Sequence, residues 1–135
     1  MISSIPSSLA DYRYAEIKWT VKQVFIHLAD EVRYFAYKAA CCSRQADVLL
    51  EISEGDAYAK DLNASNRTFK DIGEELVAYR NATTCLFSSV TDDMLDYKDF
   101  TDQGAVYTAR SLGWMAVGHN IHHCNFIKEV AYLSL

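Results

Sequence analysis

The chain has 135 residues, half of them apolar and 23% charged, which excludes a disordered protein and predicts one globular domain over residues 1–135. Its net charge of -5 disfavours nucleic acid and anionic membrane surfaces as partners, because both attract a surplus of Lys and Arg. The Ser-rich N-terminus lacks the pattern of a signal peptide and no apolar run reaches the length of a membrane span, so we expect a cytoplasmic protein.

The first predicted element is a helix from Val21 to Ser43. Thr20 and Gln23 have the spacing of a capping box, in which each side chain bonds the backbone N–H of the other residue. Apolar residues recur at helical spacing along this segment and predict a buried stripe. The stripe consists of Val21, Val24, Phe25, Leu28, Val32, Phe35, Ala36 and Ala39. His27 lies at its border.

A long polar stretch from Ala46 to Ser65 follows, in which Val48–Ile52 has the pattern of a short helix. A connection of this length in a small domain either crosses over the other helices or covers a site. The second long helix is predicted over Phe69–Val90, and Asn66 and Thr68 are its alternative N-caps.

The next segment, Asp96–Gly104, has the composition of a surface loop. The third long helix is predicted over Ala109–Leu133, with Thr108 as its N-cap. It is apolar over a wide arc, which indicates a central position. Since no segment shows the alternation of a strand, the sequence predicts an all-α protein with the architecture of a helical bundle.

The histidines are the residues most suggestive of function. His119 and His123 are four residues apart, so they project from one helix face and could share a metal ion, with His27 as a third ligand. Three histidines leave coordination positions open, as in catalytic sites, and imidazole suits zinc, nickel, iron and copper. His122 could replace His123, but its side chain diverges by about 100°, so we expect it to be exposed or behind the ligands.

Simpler interpretations of these histidines stay open at this point. A pair at this spacing is common on helix surfaces, and a single border histidine such as His27 is more often hydrogen-bonded than metal-bound. The four cysteines offer no alternative metal site, because they form no CxxC pair and suggest reduced thiols. They are Cys41, Cys42, Cys85 and Cys124.

Three segments carry a family resemblance. Lys18–Asp30 reads KWTVKQV followed, after Phe25 and Ile26, by HLAD, and Ser111–His123 contains Gly-His followed by His-His. These runs resemble the metal-bearing helices of the DinB/YfiT-like proteins, and Arg67–Leu95 resembles the helix that lies between them. The likeness covers nearly the whole chain in the family's order.

The resemblance implies an up-down-down-up four-helix bundle in which His27, His119 and His123 bind one divalent ion, most often zinc or nickel. His122 falls outside that ligand set. The family's activities imply metal-dependent hydrolysis or the transfer of low-molecular-weight thiols onto electrophiles, with a small-molecule substrate that the sequence does not identify.

The chain departs from the family pattern at its start. The family has a full helix before a Tyr-Arg-Tyr segment, whereas Tyr12–Tyr14 comes almost at once here, so we expect the first helix to be missing. A bundle that lacks one helix would expose apolar surface, and formation of a homodimer could cover that surface.

The acidic residues supply candidates for catalysis. Glu31, one turn after His27, could orient a ligand or act as a base, although the family often has Thr-Glu where this chain has Glu31-Val32. Glu54 and Asp56 could approach the metal if their connection folds over it. The alternatives are that all three are ordinary surface acids, and that the protein is a non-catalytic metal or ligand binder or a structural dimer with a degenerate site.

Overall fold

The computed structural model of the protein describes residues 2–48, 62–101 and 103–132. In chain order, its helices and strands are α1 (Val21–Ser43), α2 (Phe69–Ser88), α3 (Asp92–Leu95), β1 (Lys98–Phe100), β2 (Val106–Thr108) and α4 (Ala109–Tyr132). Single 3-10 turns occur at Ile2–Ser4, Ser7–Leu9 and Ala64–Asn66. The described residues are therefore mostly helical, and the predicted helical bundle is confirmed.

The predicted boundaries agree closely with these elements. The first predicted helix coincides with α1, and α2 ends two residues before the predicted Val90. The short helix predicted around Val48–Ile52 and the predicted end at Leu133 fall largely or wholly outside the described residues. Before α1, the described part of the chain contains 3-10 turns and no α-helix.

A threonine caps the N-terminus of each of the three long helices. Thr20 accepts a hydrogen bond from the backbone N–H of Gln23 at 3.2 Å, and the Gln23 side chain accepts one from the Thr20 N–H at 2.8 Å, which completes the predicted capping box. Thr68, rather than Asn66, caps α2. At the start of α4, the Thr108 hydroxyl accepts a hydrogen bond from the N–H three residues later at 3.1 Å. The sequence thus determines locally where each helix starts.

Helix α1 lies between the other two long helices and packs against both. One apolar cluster joins the first half of α1 to Ile72 near the start of α2 and to Ile127 near the end of α4. A second cluster joins Ala39 and Cys42, near the end of α1, to Leu112 near the start of α4. Helices α1 and α2 are therefore parallel and α4 runs antiparallel to them. Most of the long stretch predicted between them falls outside the described residues.

Charged side chains also join α1 to α2. Arg33 of α1 forms ion pairs with Asp30 and with Glu75 of α2, and Glu75 also contacts Arg67. The Arg33 guanidinium lies 4.0 Å from the centre of the Tyr79 ring. Because these contacts involve partly buried groups on both helices, they restrain the rotation of α1 about its axis and hence the direction of His27.

The prediction that Asp96–Gly104 is only a loop is wrong in part, because β1 lies within it. Strands β1 and β2 form an antiparallel hairpin in which Lys98 is opposite Thr108. The turn is held by Thr101, whose N–H donates to the carbonyl of Ala105 at 2.9 Å, and by Gly104 at φ +78°. Strands of three residues are too short to show alternation in a sequence. No helix of the described ranges is long and apolar enough to cross a membrane.

Candidate metal centre

The three histidines predicted to bind metal meet between α1 and α4. His27 is buried on α1, and His119 and His123 are half-buried on α4. Because the two helices are antiparallel and in contact, the single histidine of α1 faces the pair on α4, which are separated by one helical turn. The structure therefore brings together residues that are 92 positions apart in the chain.

The distances between the ring nitrogens fit one shared ion. The Nε2 atom of His119 lies 3.4 Å from Nε2 of His27 and 3.1 Å from Nε2 of His123. One ligand atom from each of the three histidines lies within 4.8 Å of the others. Two imidazole nitrogens bound tetrahedrally to zinc at about 2.1 Å are separated by about 3.4 Å. The spacing is thus that of three ligands around a single ion.

Hydrogen bonding between the histidines accounts less well for this arrangement. A ring nitrogen carries either one hydrogen or one in-plane lone pair, so Nε2 of His119 cannot form good hydrogen bonds with both His27 and His123. The Nδ1 atom of His119 is buried and has no hydrogen-bond partner within the described parts of the chain. A neutral imidazole with its hydrogen on Nδ1 is the tautomer that leaves the Nε2 lone pair for a cation.

Burial keeps the ligands neutral. Burial, with smaller contributions from His27 and His122, lowers the pKa of His119 to about 4. Burial also lowers the pKa of His123 to about 4, with contributions from His119 and His122. Both imidazoles are consequently uncharged near pH 7, which is the form that coordinates a metal.

Aromatic rings lie beside two of the histidines. The Trp19 ring lies edge-on to His27, with 4.6 Å between ring centres, and Phe35 lies 6.1 Å from His119. Apolar neighbours lower the local dielectric constant and hold the imidazole rings in place. Trp19 was not singled out by the sequence, although its position directly before the N-cap of α1 places it eight residues, or about two helical turns, before His27.

Glu31 shares the buried side of α1 with His27. Only 8% of Glu31 is exposed, so it is not a solvated surface acid. Burial raises the pKa of its carboxyl group, Asp30 raises it further, and Lys38 lowers it. Lys38 is also buried, with its ammonium 4.1 Å from the centre of the Tyr34 ring. The sequence did not identify Lys38, but its position two turns after Glu31 is the signal that places both on one face.

The remaining candidates lie outside the cluster of three ligands. His122 is exposed, as expected, and its ring centre is 5.2 Å from that of His123. The four cysteines are free thiols, in agreement with the sequence expectation. Glu54 and Asp56 fall outside the described residues.

Comparison with known proteins gives a family and a fold. The sequence model of the DinB superfamily matches residues 1–127. The structure is similar to YfiT from Bacillus subtilis, described as a probable metal-dependent hydrolase with an unusual four-helix bundle topology. The TM-score is 0.74 at 19% identity, and the match covers 95% of this chain and 76% of YfiT. No curated protein matches the sequence significantly.

A second solved structure has the same fold. The mycothiol-dependent maleylpyruvate isomerase matches with a TM-score of 0.69 at 13% identity. The match covers 90% of this chain but 51% of the isomerase, so the chain spans about half the length of that protein. At such identities, both similarities show a shared fold and leave the activity to be inferred from the site.

Proposed function

The chain belongs to the DinB superfamily, and we propose that it is a metal-dependent enzyme whose single divalent ion, zinc or nickel, is bound by His27, His119 and His123. The observation that carries this proposal is the convergence of one nitrogen from each histidine within 4.8 Å. The shared fold with YfiT, a probable metal-dependent hydrolase, supports it.

The proposed reaction is hydrolysis of a small molecule. His27, His119 and His123 would hold the divalent ion, which would supply Lewis acidity and lower the pKa of a nucleophile such as water. Glu31 is placed one turn from His27 and accepts the proton of the nucleophile at a carboxylate oxygen. Trp19 and Phe35 place apolar rings beside His27 and His119, and the three-histidine set leaves positions open for substrate.

A second candidate reaction is the transfer of a low-molecular-weight thiol onto an electrophile. The observation that favours it is the shared fold with an isomerase that depends on mycothiol, which is such a thiol. In this reaction the thiol takes the place of water as nucleophile, and the roles proposed for the three histidines and Glu31 are the same. The fold match is weaker and covers less of the relative than the match to YfiT, so hydrolysis is the primary proposal.

Metal analysis tests the first half of the proposal. Protein purified after exposure to zinc or nickel should hold one ion per chain, and His119→Ala should lose it. The matched control is His122→Ala, on the same helix but exposed, which should keep the ion. A wild-type protein without stoichiometric metal, or an unchanged metal content in His119→Ala, would contradict the site.

Measurements of turnover test the second half of the proposal, that the protein is an enzyme. The metal-loaded protein should be screened against ester and amide substrates, and against electrophiles supplied with low-molecular-weight thiols. We expect turnover that disappears in His27→Ala and with a chelator but persists in His122→Ala. One bound ion without turnover of either class would contradict the enzyme proposal and leave a metal-binding protein.

A further inference from the structure

The end of α1 and the β1–β2 hairpin bring together two charged groups whose hydrogen-bonding capacity is unused. Lys38 of α1 is only 3% exposed, and Asp99 of β1 is half-buried. Within the described parts of the chain, the Lys38 ammonium forms no ion pair and no hydrogen bond. The Oδ2 atom of Asp99 is buried and has no hydrogen-bond partner among the described residues. We call these two groups the Lys38–Asp99 site.

The ammonium of Lys38 lies between two aromatic rings. Its Nζ atom is 4.1 Å from the centre of the Tyr34 ring and 5.2 Å from that of the Tyr107 ring. Cation–π contacts offset part of the cost of burial, but they leave the three N–H donors of an ammonium without an acceptor. Both rings are partly exposed, so the ammonium lies directly beneath the surface of the protein. A buried charge is normally paired, and Lys38 therefore lacks an anion.

The carboxylate of Asp99 is directed towards the same end of α1. Asp99 is opposite Tyr107 in the hairpin, and directly opposite residues project from one face of a sheet. Tyr107 packs against the apolar cluster of Ala39 and Cys42, so this face is turned to α1. The Oδ1 atom of Asp99 accepts a hydrogen bond from the N–H of Phe100 at 2.8 Å, which leaves Oδ2 as the unused acceptor.

The electrostatics of Cys42 agree with this placement. Burial raises the pKa of the Cys42 thiol to about 11, and the charge of Asp99 adds to the effect. Cys42 is one helical turn after Lys38, so the Asp99 charge acts on the segment of α1 that carries the ammonium. The two opposite charges thus face a shared space without forming an ion pair.

The chemistry of the pair selects the kind of group that would fit between them. A simple anion would be attracted by Lys38 but repelled by Asp99, and a simple cation would meet the reverse. An α-amino acid group carries both charges, so its carboxylate accepts from Lys38 while its ammonium donates to Asp99. Both hydrogen bonds are then charge-assisted, the stronger class of such bonds.

We propose that Lys38 and Asp99 bind the α-amino acid group of a small zwitterionic ligand. The unused donors of Lys38 and the unused Oδ2 acceptor of Asp99 are the two observations that carry this assignment. Tyr34 and Tyr107 flank the bound group, and the ammonium of Lys38 is its anchor.

The position of this site relative to the metal centre indicates what the ligand is, a step that rests on the proposed function. His27, Glu31, Tyr34 and Lys38 are spaced so that they share one side of α1. Lys38 is eleven residues after His27, which corresponds to about 16 Å along the helix axis. Long side chains on helices lean towards the N-terminus, so we expect the ammonium to lie closer than this. The ligand is then a substrate whose amino acid group is held at a distance from its reacting bond.

Nuclear magnetic resonance titration of the wild-type protein tests the binding step without any turnover. L-alanine is the probe, and propionate and ethylamine are its matched analogues because each lacks one of the two charges. L-alanine should shift the backbone amide signals of Lys38, Asp99 and Tyr107 saturably, and each analogue should bind at least about tenfold more weakly. Propionate that binds as well as L-alanine, or the absence of a saturable shift, would overturn the proposal.

Variants locate the binding in the chain. Lys38→Met and Asp99→Asn should each raise the dissociation constant for L-alanine by at least about tenfold, since each removes one charged partner. The matched control is Lys98→Met, because Lys98 is exposed and its side chain projects from the other face of the hairpin. Its affinity for L-alanine should equal that of the wild type. Unchanged affinity in both Lys38→Met and Asp99→Asn would overturn the assignment.

The outcome is separable from that of the proposed function. Binding of L-alanine by a protein without metal-dependent turnover would support the Lys38–Asp99 site and overturn its link to a substrate. Turnover without binding of L-alanine would overturn the site alone. A crystal structure in which one water molecule bridges Lys38 and Asp99, unchanged by soaking with L-alanine, would also overturn it.

Discussion

Glu31 is a residue that can lower the stability of the fold and also contribute to the candidate site. Its carboxyl group is buried on α1, and burial raises its pKa, so the ionised form is less stable in the fold than in water. A carboxyl group kept under such conditions is a candidate for function, because an apolar residue of similar size would be more stable there.

Replacing Glu31 with glutamine should separate these two effects. In Glu31→Gln we expect unchanged metal content, an equal or higher melting temperature, and turnover reduced by about 10² or more through loss of the base. Metal analysis, calorimetry and steady-state kinetics would check this. If Glu31→Gln lost both its bound metal and its thermal stability, the role of Glu31 would instead be structural.

The two α4 ligands predict an effect of pH on the metal-free protein. The pKa of His119 and His123 is about 4 in the fold, below the ordinary value of 6.5. As pH falls below 6.5, the unfolded chain binds protons that the folded chain does not, so stability should decrease from about pH 6.5 to about pH 4. Below that range both states are protonated and the effect should end.

Urea unfolding of the chelator-treated protein at several pH values would measure this slope. His119→Gln should reduce it, because one of the two groups is removed. His122→Gln, at an exposed position, is the matched control and should retain it. A stability that does not change between pH 7 and pH 4 would contradict the burial of neutral imidazoles.

At the scale of elements, helix starts were predictable and some other features were not. Thr20, Thr68 and Thr108 cap by interactions with residues three positions later, so their signal lies within a short stretch of sequence. The end of α2 at Ser88 carries no glycine signal, and β1 pairs with β2 through backbone atoms. Such features depend on contacts that neither composition nor periodicity records.

Thr20, which belongs to the capping box of α1, should contribute more to the stability of the protein than a threonine that caps no helix. Thr20→Ala should destabilise the protein by about 1 kcal/mol, because the N–H of Gln23 loses its acceptor. Denaturant unfolding would measure the change. Thr84→Ala is the control: Thr84 is exposed inside α2 and donates only to the carbonyl of Arg80, so its replacement should have little effect. Equal effects of the two variants would contradict a special role for this cap.

At the scale of the whole molecule, the three-histidine cluster was predictable while its surroundings were not. Histidine spacing together with the family resemblance identified His27, His119 and His123, and the structure brings them together. Spacing alone left His122 open as a ligand. The ion pairs of Arg33 with Glu75, 42 positions away, and a groove between α2 and α4 arise from the packing of whole helices. No local sequence pattern predicts them.

Metal binding should stabilise the entire fold. The ligands come from α1 and α4, so an ion bound only by the folded state joins elements from distant parts of the chain. At a free ion concentration about 100 times the dissociation constant, the gain is about 2.7 kcal/mol. A thermal melt with and without zinc or nickel should show this rise for the wild type and no rise for His119→Ala. An equal rise in that variant would place the bound ion elsewhere.

The separation of the ligands along the chain also sets an order of events during synthesis. A ribosome adding about 5 to 20 residues per second would take roughly 5 to 20 seconds to make the 92 residues between His27 and His119. During that interval α1 and α2 are made, while the part of α4 that carries His119 and His123 does not yet exist. A nascent chain therefore cannot bring His27, His119 and His123 together until α4 is made, which makes the assembly of this cluster one of the last steps of folding.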